Sequence, residues 1–88
     1  MKDNKQRYEI WTFDPDNIKY CNDTIGNEDY FYDMINKNVY NCIIEWGRKY
    51  KSCNTENEAY KISDEALDYS PKYTEVFIWD LEECKWFN

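Results

Sequence analysis

The chain has no histidine, and its 88 residues include only two glycines, two prolines, two leucines, two valines and two alanines. Without histidine it lacks the usual general base, the Ser-His-Asp and Cys-His nucleophile systems, and the commonest metal ligand. Gly26 and Gly47 are the only glycines, so no Gly-rich loop can cradle a phosphate. The four cysteines, Cys21, Cys42, Cys53 and Cys84, never form a Cys-x-x-Cys pair, and the mixed Cys/His zinc sites are impossible. The longest apolar run, Val76 to Trp79, is far too short to span a bilayer. Positive charge is scarce as well. Eleven basic side chains face 18 acidic ones, a formal charge of −7. That balance argues against direct grip on nucleic-acid phosphates, which needs a Lys/Arg surface.

What is abundant is aromatic. Four Trp, four Phe and nine Tyr accompany eight Ile. Disordered chains are poor in these residues and rich in Pro, Ser and Gly, so the mean hydropathy of −1.02 does not signal disorder here. It reflects ten Asn, the charges, and the polar score given to Tyr despite its large ring. One small folded domain over residues 1–88 is expected, with a core of Ile and aromatic rings. A core of that size does not need every aromatic. Tyr30, Tyr32, Tyr60 and Tyr69 are expected at the surface, either covering the rim of the core or anchoring a partner.

The N-terminus, Met-Lys-Asp-Asn-Lys-Gln-Arg, develops no apolar export segment, so reduced thiols in a cytoplasmic protein are expected. Two disulfides in any of three pairings are the alternative. Asn22-Asp23-Thr24 has the form of a glycosylation acceptor, which matters only in an exported protein.

Residues 8–13 have strand composition, and Asp14-Pro15-Asp16-Asn17 reads as a turn into a short return strand at Ile18–Cys21. Asn27 is a candidate N-cap, followed by Phe31, Met34 and Ile35 on one helical face and a stop at Asn36-Lys37-Asn38. Residues 39–53 are ambiguous. As a helix, Val39, Cys42, Ile43, Trp46, Tyr50 and Cys53 share a face. As strands, Tyr40, Cys42, Ile44 and Trp46 alternate with polar residues, turn at Gly47-Arg48, and continue at 49–53. The hairpin is favoured, since Gly47 would cost a helix interior about 1 kcal/mol and Val-Tyr-Asn-Cys-Ile-Ile is a poor helix former.

Thr55-Glu56-Asn57-Glu58 has the form of a capping box, and Ala59, Ile62, Ala66 and Leu67 recur behind it at helical spacing until Ser70-Pro71. Tyr73 to Leu81 then reads as a central strand, apolar on both sides. A turn over Asp80–Glu83 leads to a short closing strand at Cys84–Phe87. The expected class is α+β, an antiparallel sheet of about four strands with one or two helices packed on one face.

No motif carries catalysis. Asp14-x-Asp16 fails as a calcium loop, because Lys19 stands where Gly is required and Ile25 where a bidentate Glu is required. Glu82-Glu83 has no spacing that demands a metal, and so small a core leaves little room for a cleft with paired carboxylates. Neither enzyme activity, a metal nor a cofactor is expected.

Charge placement is more telling. Residues 9–36 hold seven carboxylates against one lysine, and residues 54–88 hold nine against three. Between them, residues 37–53 carry four cations and one glutamate. Asp29/Asp33 and Asp64/Asp68, with Glu65 adjacent, are like-charge pairs four apart, each costing a helix roughly 0.2–0.5 kcal/mol. Solubility alone accounts for a charge of this size. The functional account is electrostatic steering toward a Lys/Arg groove, the surface typical of proteins that handle nucleic acid.

In size, charge and composition (Asn, Lys, Ile and Tyr rich, Ala and Leu poor) the chain resembles many phage and mobile-element proteins, including inhibitors of bacterial defence such as anti-CRISPR proteins. That resemblance implies a non-enzymatic inhibitor that blocks a basic groove, with carboxylates standing where phosphates would lie. The partner-binding candidates are Asp29, Tyr30, Asp33, Asp64, Glu65 and Asp68. A self-associating module, with surplus Tyr and Trp or an exposed strand edge forming a homodimer interface, is the alternative. Arg48, Lys49, Tyr50 and Lys51 form a basic cluster with one aromatic, but 18 acids surround it and direct nucleic-acid binding is not expected.

Overall fold

The computed structural model describes residues 6–69 and 73–87. Tyr8–Phe13 forms β1, as its aromatic and β-branched composition predicts. Beyond Phe13 the expected turn and return strand are corrected to a helix. Asp14 is an N-cap whose carboxylate accepts the Asp16 N–H at 2.9 Å, and Pro15 takes the first helical position, where a missing N–H costs nothing. Helix α1 runs Pro15–Ile25 with only Ile18 and Cys21 buried, so its apolar stripe is too thin to reveal a helical period. Gly26 closes it at φ 80°, a left-handed conformation suited to glycine, and its N–H donates to the Asn22 carbonyl.

Helix α2, Tyr30–Asn36, starts later than expected. The Asn27 side chain accepts the Asp29 N–H in a local turn, while Asn22 reaches from α1 to accept the Phe31 N–H at 2.9 Å. The cap is therefore tertiary and invisible to local pattern. The stop is where the sequence puts it: Asn38 turns left-handed at φ 59°.

The expected first strand of a hairpin at 40–46 is corrected to a one-turn helix, α3 (Asn41–Ile44). Ile43 is fully buried and its neighbour Ile44 packs against the same core, a clustering that alternation cannot satisfy. Gly47 then lets the chain pass against β1; a Cβ there would overlap the Phe13 ring and come within 2.9 Å of the Thr12 carbonyl. The second strand exists as expected. It is β2, Arg48–Cys53, but it pairs with β1 rather than with a hairpin neighbour.

Helix α4, Glu56–Tyr69, begins with the capping box: the Glu58 N–H donates to Thr55 Oγ1 at 3.2 Å, and that hydroxyl donates to Glu58 Oε1. The expected stop at Ser70-Pro71 lies outside the described residues. Ala59, Ser63 and Ala66 are buried, whereas Leu67, expected in the core, is 49% exposed. The small residues let the helix lie close to the sheet, and Leu67 stands about 80° around the helix from Ala59. Strands β3 (Glu75–Asp80) and β4 (Lys85–Phe87) complete an antiparallel sheet in the order β2-β1-β3-β4.

The α+β class and the four-stranded antiparallel sheet are thus as the sequence predicts, with β3 central and apolar on both sides. Pleating sends Tyr8, Ile10, Val76 and Ile78 toward Ala59 and Ala66 of α4. Trp11, Phe13, Phe77 and Trp79 face the other way, where α1, α2 and α3 contribute Ile18, Phe31, Ile35 and Ile43. Four helices cover the sheet on both faces, where one or two on one face were expected, because α1 and α3 fall in segments read as turn and strand and the doubly apolar β3 needs cover on each side. Phe13 meets Phe31, Phe77 and Trp86 edge-on at 4.9–6.0 Å, a contact type worth about 0.5–1.5 kcal/mol beyond burial.

Candidate functional site

The fold separates the six candidate residues. Asp29, Tyr30 and Asp33 belong to the start of α2 on one face of the sheet; Asp64, Glu65 and Asp68 belong to α4 on the other. They form two surfaces, not one.

On α2, Asp29 is the N-cap residue and Asp33 lies in the first turn. Carboxylates there are favoured by the positive end of the helix dipole, which offsets the repulsion between them. Tyr30, expected at the surface, is half-buried. Burial, followed by the neighbouring Cys42 thiol of α3, pushes its phenol above the ordinary value. This surface is explained by local stability.

On α4, Glu65 has an internal role. A β-bulge in β2, where the pairing with β1 slips between Ile10 and Trp11, sends the successive residues Tyr50 and Lys51 to the same carboxylate. The Tyr50 hydroxyl donates to Glu65 Oε2 at 2.7 Å and Lys51 Nζ at 3.0 Å. The Tyr50 bond, then the Lys51 bond, hold the Glu65 carboxyl below its usual range. The same bond to Glu65, followed by burial, pushes the Tyr50 phenol up to about 12.

Asp64 and Asp68 differ. Both are exposed, and among the described residues neither has an ion pair. Asp68 sits in the last turn of α4, which contains no basic residue, so the negative end of the dipole disfavours it. Exposed Tyr60 and Leu67 flank the pair, 40% and 49% accessible. Between α4 and the start of β3 lies a shallow groove of about 300 Å³ lined by Tyr60, Ser63, Asp64, Leu67, Thr74, Glu75 and Val76. Tyr60, Leu67 and Val76 give it apolar area, Ser63 and Thr74 hydroxyls, and Asp64 and Glu75 carboxylates, a mixed lining that fits a basic, partly apolar protein surface.

Leu67 and Glu75 complete this surface, and sequence reasoning missed both. Leu67 has the spacing of a core residue, and only the placement of Ser63 beneath the helix displaces it. Glu75 is a strand-end residue whose Oε2 also accepts the Tyr32 hydroxyl from α2 at 3.1 Å. The remaining exposed aromatics are dispersed, with Tyr20 against Trp46 on the far face at 5.8 Å.

The four cysteines are free, Cys21 and Cys53 buried and Cys42 and Cys84 exposed. Among the described residues no group of three or more Cys, Asp or Glu is placed to hold a metal, and no helix is long and apolar enough to cross a membrane. Comparison of the chain with protein-family models, curated proteins and solved structures finds no match.

Proposed function

We propose that this chain is a non-catalytic binding protein that occupies a basic groove on a nucleic-acid-handling protein, in the manner of a phage or mobile-element inhibitor acting in the cytoplasm of a bacterial host. One observation carries the reading. Asp64 and Asp68 stand on an exposed ridge of α4 where like charge opposes both and the helix dipole opposes Asp68, with no counter-ion among the described residues. Carboxylates held at a local cost are accounted for by an external partner. Leu67 and Tyr60 beside them supply apolar anchors, and the chain's −7 charge speeds encounter with a cationic target. The acidic start of α2 contributes to the same long-range field.

The test is capture of partners from bacterial lysate by the chain, by Asp64→Lys/Asp68→Lys and by Asp29→Lys/Asp33→Lys. The expected result is a nucleic-acid-handling protein retained at low salt, released as the Debye length shrinks toward about 3 Å at 1 M, and lost with the α4 variant. Retention that ignores salt, or a partner without a basic groove, overturns the proposal. Loss only with the α2 variant would move the site to the opposite face.

A further inference from the structure

The two edges of the sheet are treated differently. At one edge β4 is only three residues long, and what it exposes is already used. The Trp86 N–H, turned away from β3, donates to Asn38 Oδ1 at 2.9 Å, and the Trp86 indole N–H donates to the Val39 carbonyl at 2.8 Å. The segment leaving α2 thus caps that edge.

At the other edge β2 spans Arg48–Cys53, and among the described residues no further strand pairs with its outer side. An uncovered edge presents a row of N–H and C=O groups that hydrogen-bond to water or to an added strand. Its side chains carry the sign that the rest of the molecule lacks. Lys49 leans toward Glu9 at 3.9 Å and Lys51 pairs with Glu65, while Arg48 has no ion pair among the described residues. Arg48 also borders a hollow of about 410 Å³ at the end of the sheet, shared with Thr12, Asp14, Asn17, Gly47, Tyr50, Tyr69 and Thr74. The bulge at Tyr50 slips the inner pairing between Ile10 and Trp11.

Lysines on an edge strand are a common guard against unwanted pairing. The guard is selective. Two β2 edges brought together would oppose six cations, which disfavours self-pairing, whereas an acidic strand meets compensating charge. We infer that the outer edge of β2 is a strand-addition site for an extended acidic segment of a partner protein. Main-chain hydrogen bonds supply the affinity, and Arg48, which has no ion pair among the described residues, leads the selection, with Lys49 and Lys51 shared with Glu9 and Glu65. This site is separate from the acidic ridge of α4 and stands whether or not that ridge binds a basic groove.

The probe is an end-capped peptide of about eight residues alternating Glu and Thr, a normal strand length, titrated into the isotope-labelled chain while backbone amide shifts and hydrogen exchange are followed. Saturable shifts confined to residues 48–53, with slowed exchange of outward amides, are expected. A peptide of the same charge with Pro at alternate Thr positions loses strand hydrogen bonds and binds at least about tenfold more weakly. A Lys-for-Glu peptide does not bind. Arg48→Glu, at a side chain with no ion pair among the described residues, weakens the acidic peptide about three- to tenfold with the remaining spectrum unchanged. The inference is overturned if the Pro peptide binds equally, if the Lys peptide binds, or if shifts map elsewhere. Concentration-dependent shifts of β2 without any peptide also overturn it, since a second copy would then occupy the edge.

Discussion

Arg7 and Asp80, 73 positions apart, meet as a bidentate ion pair: Arg7 Nε and Nη2 donate to the two carboxylate oxygens of Asp80 at 3.0 and 2.9 Å. The same carboxylate accepts the N–H groups of Glu82 and Glu83, so one buried side chain ties the start of β1 to the end of β3 and shapes the turn into β4. A bidentate guanidinium–carboxylate contact is among the stronger polar interactions in proteins. It is also fixed by register, since Tyr8 stands opposite Asp80.

Asp80→Asn keeps the shape and removes the charge, and is expected to cost about 2–4 kcal/mol in urea unfolding at neutral pH. The pH dependence comes from the sign of the shifts. The Arg7 hydrogen bonds first, and the two backbone N–H groups after them, hold the Asp80 carboxyl below its ordinary 3.8, and Glu65 lies below its ordinary 4.5. Folded values below unfolded ones contribute stability above those ordinary values and lose it as pH falls through and below them. Unfolding midpoints measured from pH 6 down to about pH 2 should decline most steeply under pH 4.5, and less so in Asp80→Asn. A flat acid profile would mean the Arg7 clamp is not formed in solution.

Tyr50 gives the complementary alkaline signature. Its phenol is raised from 10.0 to about 12, chiefly by donating to Glu65. A raised folded value contributes stability below pH 10, and that contribution is lost as pH climbs through 12. Ultraviolet titration of the phenolates should show late-ionising tyrosines whose amplitude falls by one ring in Tyr50→Phe, with one late step moving toward its ordinary value in Glu65→Gln. Tyr40, which burial and a 2.6 Å bond to Glu9 also push up, supplies a late step that remains in Tyr50→Phe; an unchanged late amplitude in that variant would mean the Tyr50–Glu65 bond is not formed in solution.

Gly47→Ala should destabilise by about 1–3 kcal/mol, the usual cost of overpacking. The added methyl would enter the space of Phe13, which is fully buried and hemmed in by Phe31, Phe77 and Trp86. Gly26→Ala is a useful contrast. Nothing lies within 4 Å of its added carbon, so only the left-handed φ of 80° is strained, at roughly 1–2 kcal/mol. Double substitution should add, because the two mechanisms share no contact. A neutral Gly47→Ala in thermal unfolding would contradict the close approach of β2 to β1.

Asp68→Lys should raise stability by a few tenths to about 1 kcal/mol, since it removes a like-charge neighbour and places a cation at the negative end of α4. The gain should be visible in the thermal midpoint at low ionic strength and shrink with salt. A stabilising change that weakens partner capture would separate binding from folding. Unchanged stability would remove the local cost on which the functional reading of that ridge depends.

Much of the fold was legible in local pattern. The aromatic run of β1, the Thr55–Glu58 capping box and the doubly apolar β3 each satisfy one short-range rule, and each forms where that rule places it. Segments governed by two rules failed. Asp14-Pro15 serves equally as a turn or a helix start, and only the burial of Ile18 and Cys21 beneath α1 decides between them. At Asn41–Ile44 the choice rests on where Ile43 can be buried, a question about the surrounding core rather than about the segment. For the candidate site, sequence supplied the like-charge pairs but not their surroundings. Glu65 differs from Asp64 and Asp68 only because a bulge about fifteen residues upstream aims Tyr50 and Lys51 at it.

By itself the sequence determined the absence of histidine chemistry, the acidic balance, the aromatic core and the α+β class, because composition and short-period patterning act within a few residues. Only the tertiary structure decided which carboxylates are engaged by internal partners and which are left to solvent, and which edge of the sheet is capped by Asn38 and which remains open. Those outcomes depend on contacts between residues far apart in the chain, fixed by strand register and helix placement, and no local pattern encodes them.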